Sequence, residues 1–389
     1  MKICLVTFDF PPFSIGGIGT LVYDLASYLS KEGVQVHVLA AGGSDEEELV
    51  NGLFKVTRLK VSLYSRVTKI PTFQYRVWRW LGPNNMAFDV IHFQESAGFL
   101  YLLLNAFGSQ NKNTVEQFHH SHVAEFIIHL KFLFKVPKES LPYLSMPLKI
   151  FQEYISLKLA KRVITVSNHS RSTLFSWNIN PEKVTVIANA LNESYFEEGG
   201  QKQKQNNLLT FLYVGRLVPR KGIDILIQAI AILKKDGIDN FRVNIVGEGP
   251  LLNYCQDTVK RNHIQNCIVW GLVPQEKLDS LYRQADCLIC PSRLEGFGIV
   301  LLEAGANNLA IIANDIPVFR EIYSDAEALY FKQNDTVALA KRISELINEP
   351  NLVPILREKA RIKVENYKWQ NVVKDYMSIY LNMTARNKG

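Results

Sequence analysis

The chain has 389 residues, 47% hydrophobic and 21% charged, which excludes a disordered polypeptide and gives enough length for two or three domains. No apolar run approaches the roughly 18–20 residues of a membrane-spanning helix, and five cysteines argue for a reducing cytosol rather than a disulfide framework. The net charge of +7 is uneven: between Lys55 and Arg171, 16 Lys/Arg face 6 Asp/Glu, so the first half favours an anionic partner, whether a membrane surface, an acidic acceptor or nucleic acid.

The chain opens with ICLVTF, read as a first strand and not as a signal peptide because Asp9 and two prolines follow it. A glycine-rich turn, Gly16-Gly17-Ile18-Gly19, precedes a helix expected over Thr20–Lys31, with Leu21, Val22, Leu25 and Leu29 on one face. Gly33 ends that helix, and VQVHVLA supplies the second strand of a strand–helix–strand unit. Further strands are expected at 89–93, 114–118, 162–167 and 184–189. Residues 193–207, ESYFEEGGQKQKQNN, are polar and aperiodic, the character of an inter-domain linker.

The same grammar then restarts. Strands are expected at 211–215, 242–247, 267–271, 285–292 and 309–315, a helix over Gly222–Lys235, and a last helix around Trp369–Asn382. The predicted fold class is α/β, with two doubly wound Rossmann-like domains facing across a cleft. The first spans residues 1–192 and regains the C-terminal helix, about 366–389, and the second spans 208–365. Cys287 and Cys290 form a CxxC, but they flank Leu288-Ile289 in a strand-like run, so they are read as core residues, and no zinc site is expected.

Three segments carry chemistry. In VGRLVPRKG, Arg216 and Lys221 follow a strand's C-terminal end, where open α/β sheets bind ligands. The two cations suit a pyrophosphate, although solvated loop cations would look the same. In PSRLEGFGIVLLEA, Glu295 precedes and Glu303 lies within a helix. Gly296 and Gly298 open the helix start to a phosphate, and the carboxylates can accept hydrogen bonds from sugar hydroxyls. In FHHSH, 118–122, neighbouring histidines point to opposite faces and no carboxylate has a usual ligand spacing, so no metal is expected.

GGIGTLVYDLASYL, VGRLVPRKG, VGEGP, ADCLICPSRLEGFG and the Glu295/Glu303 pair occur in the order seen in glycosyltransferase family 4, which the chain resembles from about residue 1 to 375. That resemblance implies the GT-B fold and a retaining, metal-independent enzyme of hexosyltransferase type. It implies no cofactor beyond a nucleotide-diphosphate-sugar as co-substrate, a glycan or lipid-linked acceptor, and no nucleic acid. Arg216 and Lys221 would hold the donor diphosphate. Glu303 would bind the ribose and Glu295 the transferred sugar. Backbone N–H groups of Gly298, Ile299 and Val300 would meet the diphosphate or sugar, and Gly17 would approach the diphosphate from the first domain. His119 resembles the family's sugar-contacting histidine, with His120 in reserve and a structural histidine as the other reading.

The chain departs from the family's pattern at Asn308 and Ala310, at Pro317-Val318 and at Asn189-Ala190-Leu191-Asn192, which leaves the donor's identity open. A different GT-B enzyme, such as a nucleotide-sugar epimerase or a glycogen synthase-like polymerase, and a non-catalytic protein on the same scaffold remain alternatives. An oxidoreductase fits less well, because GGIG lacks the GxGxxG spacing. Basic segments with aromatics at 59–81 and 126–162 suggest a cytoplasmic protein that rests peripherally on an anionic membrane face.

Overall fold

The computed structural model describes residues 1–13, 17–61, 69–106, 113–132, 145–198 and 208–385. The chain divides into two compact units. One comprises Met1–Val123, Leu141–Ala190 and Trp369–Gly389, and the other Ala124–Ser140 and Leu191–Lys368. Residues 124–132 thus cluster with the second unit although they lie within the sequence of the first. The second unit also begins at Leu191, ahead of the polar segment read as a linker. That segment starts with a short helix, Ser194–Glu198, and its residues 199–207 lie outside the described residues.

The first unit holds an eight-stranded sheet. Its strands are β1 (Lys2–Thr7), β2 (Gln35–Gly42), β3 (Glu46–Val50), β4 (Phe54–Lys60), β5 (Val90–Gln94), β6 (Thr114–Phe118), β7 (Arg162–Thr165) and β8 (Val184–Val186). They run in the order β3-β4-β2-β1-β5-β6-β7-β8, all pairs parallel except β3 with β4. The order reverses between β1 and β5, the topological switch point at which such sheets bind ligands. Alternation along β1 sends Ile3 and Leu5 to one core and Cys4 and Val6 to the other, as a sheet covered on both faces requires.

The β3–β4 hairpin is absent from the expectations drawn above. Glu46, Glu47 and Glu48 are exposed in β3, so an edge strand is masked by the charges that protect it from pairing with another chain. The first helix, Gly17–Lys31, starts three residues before the expected Thr20, while Ser14, Ile15 and Gly16 lie outside the described residues.

The C-terminal helix, Trp369–Ala385, returns to the first unit and packs Trp369, Val372, Val373, Tyr376 and Tyr380 into its core. Polar contacts fix its register. The Tyr380 hydroxyl lies 2.7 Å from His92 Nδ1, Gln117 Nε2 donates to the Tyr376 hydroxyl at 3.0 Å, and Trp369 Nε1 donates to Asp24.

The second unit holds β9 (Leu209–Val214), β10 (Phe241–Val246), β11 (Cys267–Gly271), β12 (Cys287–Cys290), β13 (Ala310–Asn314) and β14 (Leu329–Phe331). All are parallel, in the order β11-β10-β9-β12-β13-β14. The switch point lies between β9 and β12. Helix Ile223–Lys235 covers one face, burying Ile223, Leu226, Ile227, Ile230 and Leu233. Cys287 and Cys290 are free and buried in β12, and burial pushes the Cys290 thiol up to about 12. A thiol so disfavoured as thiolate is poorly suited to redox exchange.

Candidate functional site

In the second unit, the loops that leave β9 and β12 at the switch point are tied together. Arg293 donates its backbone N–H to the Arg220 carbonyl at 2.7 Å. Its guanidinium reaches both carboxylate oxygens of Asp224 at 2.7 Å and the Pro219 carbonyl. Gly222 permits this approach. Its φ is +66°, and a Cβ there would sit 1.9 Å from the Pro291 carbonyl oxygen, a position no other residue can occupy without moving the backbone.

This stitching delivers Lys221 to Glu295. The ammonium donates to Glu295 Oε1 at 2.5 Å, and Ser292 Oγ donates to the same oxygen at 2.8 Å. Arg220 Nη1 lies 3.6 Å from Glu295 Oε2, and Arg220 also pairs with Glu125. Glu295 is only 8% exposed. Burial alone would raise its carboxyl, but the charges of Lys221 and Arg220 and the hydrogen bonds from Lys221 and Ser292 hold it below its ordinary value. The sequence does not single out Arg220, because three cations in VGRLVPRKG offer no means of telling which of them turn towards a carboxylate more than 70 residues on.

Arg216 differs from both. It is exposed, accepts a hydrogen bond at its carbonyl from the Tyr213 hydroxyl, and its guanidinium pairs with no acid among the described residues. The β9 loop therefore offers two cations held by carboxylates, Arg220 and Lys221, and one open to an incoming anion.

Helix Ile299–Ala306 starts at Gly298, whose φ of +100° caps it. A Cβ at Gly298 would lie 2.6 Å from the Phe319 ring, so glycine is required both by conformation and by space. The first backbone N–H groups of such a helix lack partners within it and favour an anion, which is the arrangement expected for Gly298, Ile299 and Val300. Glu303 stands in the second turn and accepts a hydrogen bond from the Tyr282 hydroxyl at 2.7 Å. Burial raises its carboxyl, although that hydrogen bond and Lys221 work the other way. Just beyond, Asn308 adopts φ +56°. It fills the left-handed turn where the family pattern has glycine, a conformation asparagine tolerates. Pro317 opens helix Pro317–Ile322, a position that suits its missing N–H.

In the first unit, Gly17 begins the helix that follows β1 and is exposed. His119 directly follows β6, 8% exposed, with Nε2 2.7 Å from Gln94 Oε1. Burial lowers it to about 4 despite the opposing charge of Glu95, so it is a neutral imidazole at pH 7. His120 is more open and faces Glu95, with Nδ1 3.6 Å from Oε1. The two histidines thus turn to different neighbours, as alternation predicts.

The basic apolar segment resolves in part. On helix Met146–Leu159, Leu148, Phe151 and Tyr154 are exposed and Lys158 is exposed beside them. Leu157, also within the basic segment 126–162, is instead a core residue, and Phe134 of the same segment lies outside the described residues. In the second unit Ile127 and Leu130 are exposed. No helix among the described residues is long and apolar enough to cross a membrane.

Two family models together match residues 15–363: Glycosyltransferase Family 4 over residues 15–195 and Glycosyl transferases group 1 over residues 195–363. The chain belongs to the family 4 glycosyltransferases. An uncharacterised glycosyltransferase of Methanocaldococcus jannaschii is 25% identical across 98% of both chains. An O-antigen chain mannosyltransferase of Salmonella typhimurium is 32% identical over 51% of this chain and 54% of its own. Among solved structures, sucrose-phosphate synthase from Thermosynechococcus elongatus superposes with a TM-score of 0.83 over 99% of each chain at 19% identity. The fold is accordingly GT-B.

Proposed function

We propose that the protein is a retaining glycosyltransferase that moves a hexose from a nucleotide-diphosphate-sugar to a hydroxyl of a glycan or lipid-linked acceptor in cell-surface glycan or glycolipid biosynthesis. The observation that carries this reading is the Lys221–Glu295 contact between the β9 and β12 loops at the switch point of one parallel sheet, with Arg216 on the first loop and the Gly298 helix start on the second. Arg216 and Lys221 supply the positive charge that a departing diphosphate needs, in place of a metal at that position. Glu295, kept ionised while buried, is an acceptor-only group suited to sugar hydroxyls. Glu303, beside Tyr282, takes the ribose. The O-antigen mannosyltransferase relative supports the acceptor class.

In the mechanism that fits, the acceptor hydroxyl attacks on the face from which the nucleotide diphosphate leaves, and a phosphate oxygen of that leaving group takes the hydroxyl proton. The new bond keeps the anomeric configuration of the donor. His119, neutral and oriented by Gln94, hydrogen-bonds the sugar without adding charge. The exposed Leu148, Phe151 and Tyr154 beside Lys158 would seat the protein peripherally on an anionic leaflet of the cytoplasmic face.

The test is transfer or hydrolysis across a panel of nucleotide sugars, with the product anomer read by NMR. Lys221→Ala and Glu295→Ala are each expected to abolish nearly all turnover of the preferred donor while the fold persists by circular dichroism. Wild-type-like turnover in either variant, or an inverted anomer, would overturn the reading.

A further inference from the structure

Two strand ends in the first unit bring together ligating groups that the proposed transfer does not use. After β6 the chain runs His119-His120-Ser121-His122, bending at His120 before His122 opens the helix His122–Phe132, and this turn brings the His120 and His122 rings together. Their ring centroids lie 4.8 Å apart. Glu95 follows β5, the neighbour of β6, so pairing in the sheet supplies the carboxylate that linear spacing does not. One donor atom from each of Glu95, His120 and His122 lies within 4.8 Å of the other two.

A second layer supports the first. Glu153 Oε1 is 2.8 Å from His122 Nδ1. With that nitrogen carrying the hydrogen, the neutral ring keeps its lone pair on the other one, as in carboxylate–histidine–metal arrangements. The carboxylates are also under-satisfied. Among the described residues, Glu95 Oε1, Glu116 Oε2 and Glu153 Oε2 are buried and accept no hydrogen bond, and Glu116 and Glu153 are 2% and 5% exposed. Buried carboxylate oxygens left in this state are costly, and a cation placed among them offsets that cost.

We propose that Glu95, His120 and His122 bind a divalent first-row transition-metal cation, Zn2+ being the best match, with Glu153 orienting His122 from outside. Two imidazoles and one carboxylate are a borderline donor set that suits zinc. Ligand atoms about 2.0–2.2 Å from a tetrahedral ion stand roughly 3.3–3.6 Å apart. The His120–Glu95 distance is already there, and the widest gap closes by about an ångström of side-chain rotation. Three protein ligands leave the fourth position to a water or to an oxygen of a bound substrate. The site lies at the C-terminal edge of its sheet, where α/β folds take ligands.

The site is tested on the full, untagged chain after chelator treatment, by isothermal titration with ZnCl2 and by the visible spectrum of the Co2+ form. One equivalent should bind, raise the melting temperature and give four-coordinate Co2+ bands. The Glu95→Gln/His120→Asn/His122→Asn variant should lose at least about 100-fold in affinity, and Glu153→Gln about 10–100-fold with the stoichiometry unchanged. If the triple variant does not fold, His122→Asn alone serves. Absence of binding at micromolar metal, or wild-type affinity in these variants, overturns the proposal. Neither readout depends on glycosyl transfer, so the site stands or falls separately from the proposed activity.

Discussion

Replacing Lys221 with methionine keeps the length of the side chain and removes the charge that faces Glu295. With Nζ 2.5 Å from Oε1, the attraction is about 6–7 kcal/mol at an effective dielectric constant of roughly 20, most of it offset by desolvation of both groups. Removing one partner of a buried pair costs about 3–5 kcal/mol. Here Ser292 still donates and Arg220 remains at 3.6 Å, so the lower end, about 3 kcal/mol, applies. For a unit of this size that corresponds to a fall of about 6–10 °C in melting temperature.

The loss has a defined pH dependence. Glu295 is held below its ordinary carboxylate value of 4.5, so the pair's contribution is complete above that pH and disappears as pH falls through the depressed folded-state value. Calorimetry of wild type and variant at neutral pH and in acid should therefore show a gap that closes on acidification. A neutral-pH shift below about 2 °C, or a double-mutant cycle with Glu295→Gln giving a coupling under about 0.5 kcal/mol, would refute the account.

Gly298→Ala should destabilise the second unit by about 2 kcal/mol or more, from a left-handed backbone and a Cβ driven into the Phe319 ring, and chemical denaturation reads it directly. Tyr380→Phe should cost about 1–2 kcal/mol, because it leaves His92 Nδ1 buried without its partner. Burial lowers His92 to about 3 from 6.5, so its share of stability is full above 6.5 and about 2 kcal/mol of it is lost between pH 7 and 5. Protection factors of β1 and β5 amides measure that loss. Phe151→Glu should weaken co-sedimentation with anionic vesicles at low salt without altering the melting temperature, and unchanged binding would remove the membrane contact from the reading.

The parallel strands were legible as short runs rich in β-branched and aromatic residues: Thr114–Phe118, buried on both faces, and the edge strand Cys267–Gly271, which exposes Ile268 and Trp270, begin and end where the sequence placed them. The β3–β4 hairpin was not, since three consecutive exposed glutamates carry no hydrophobic period. Candidate residues on the β9 and β12 loops were legible as residue types near strand ends, but their partnerships were not. Nothing in the spacing says that Lys221 bonds to Glu295, or that Arg220 and not Arg216 shares that carboxylate. Those facts depend on Gly222 letting two loops touch. The Glu95–His120 approach was hidden for the same reason, because it arises from strand pairing between segments 25 residues apart.

The Lys221–Glu295 pair bears on how a donor would be accommodated. A carboxylate beside a diphosphate site repels the ligand unless its charge is already matched, and Lys221, Arg220 and Ser292 together provide that match at Glu295. Arg216, exposed and without an acidic partner among the described residues, is free to meet the anion first. Lys221 can then divide its three donors between Glu295 and a phosphate oxygen, a sharing that an ammonium permits more readily than a planar guanidinium does. Lys221→Arg is therefore not a conservative change in the proposed site. It should retain charge and much of the stability, yet lose turnover, whereas Arg216→Lys should raise the donor KM with less effect on kcat. The opposite pattern, with Lys221→Arg active and Arg216→Lys inactive, would show that the two cations have been assigned the wrong way round.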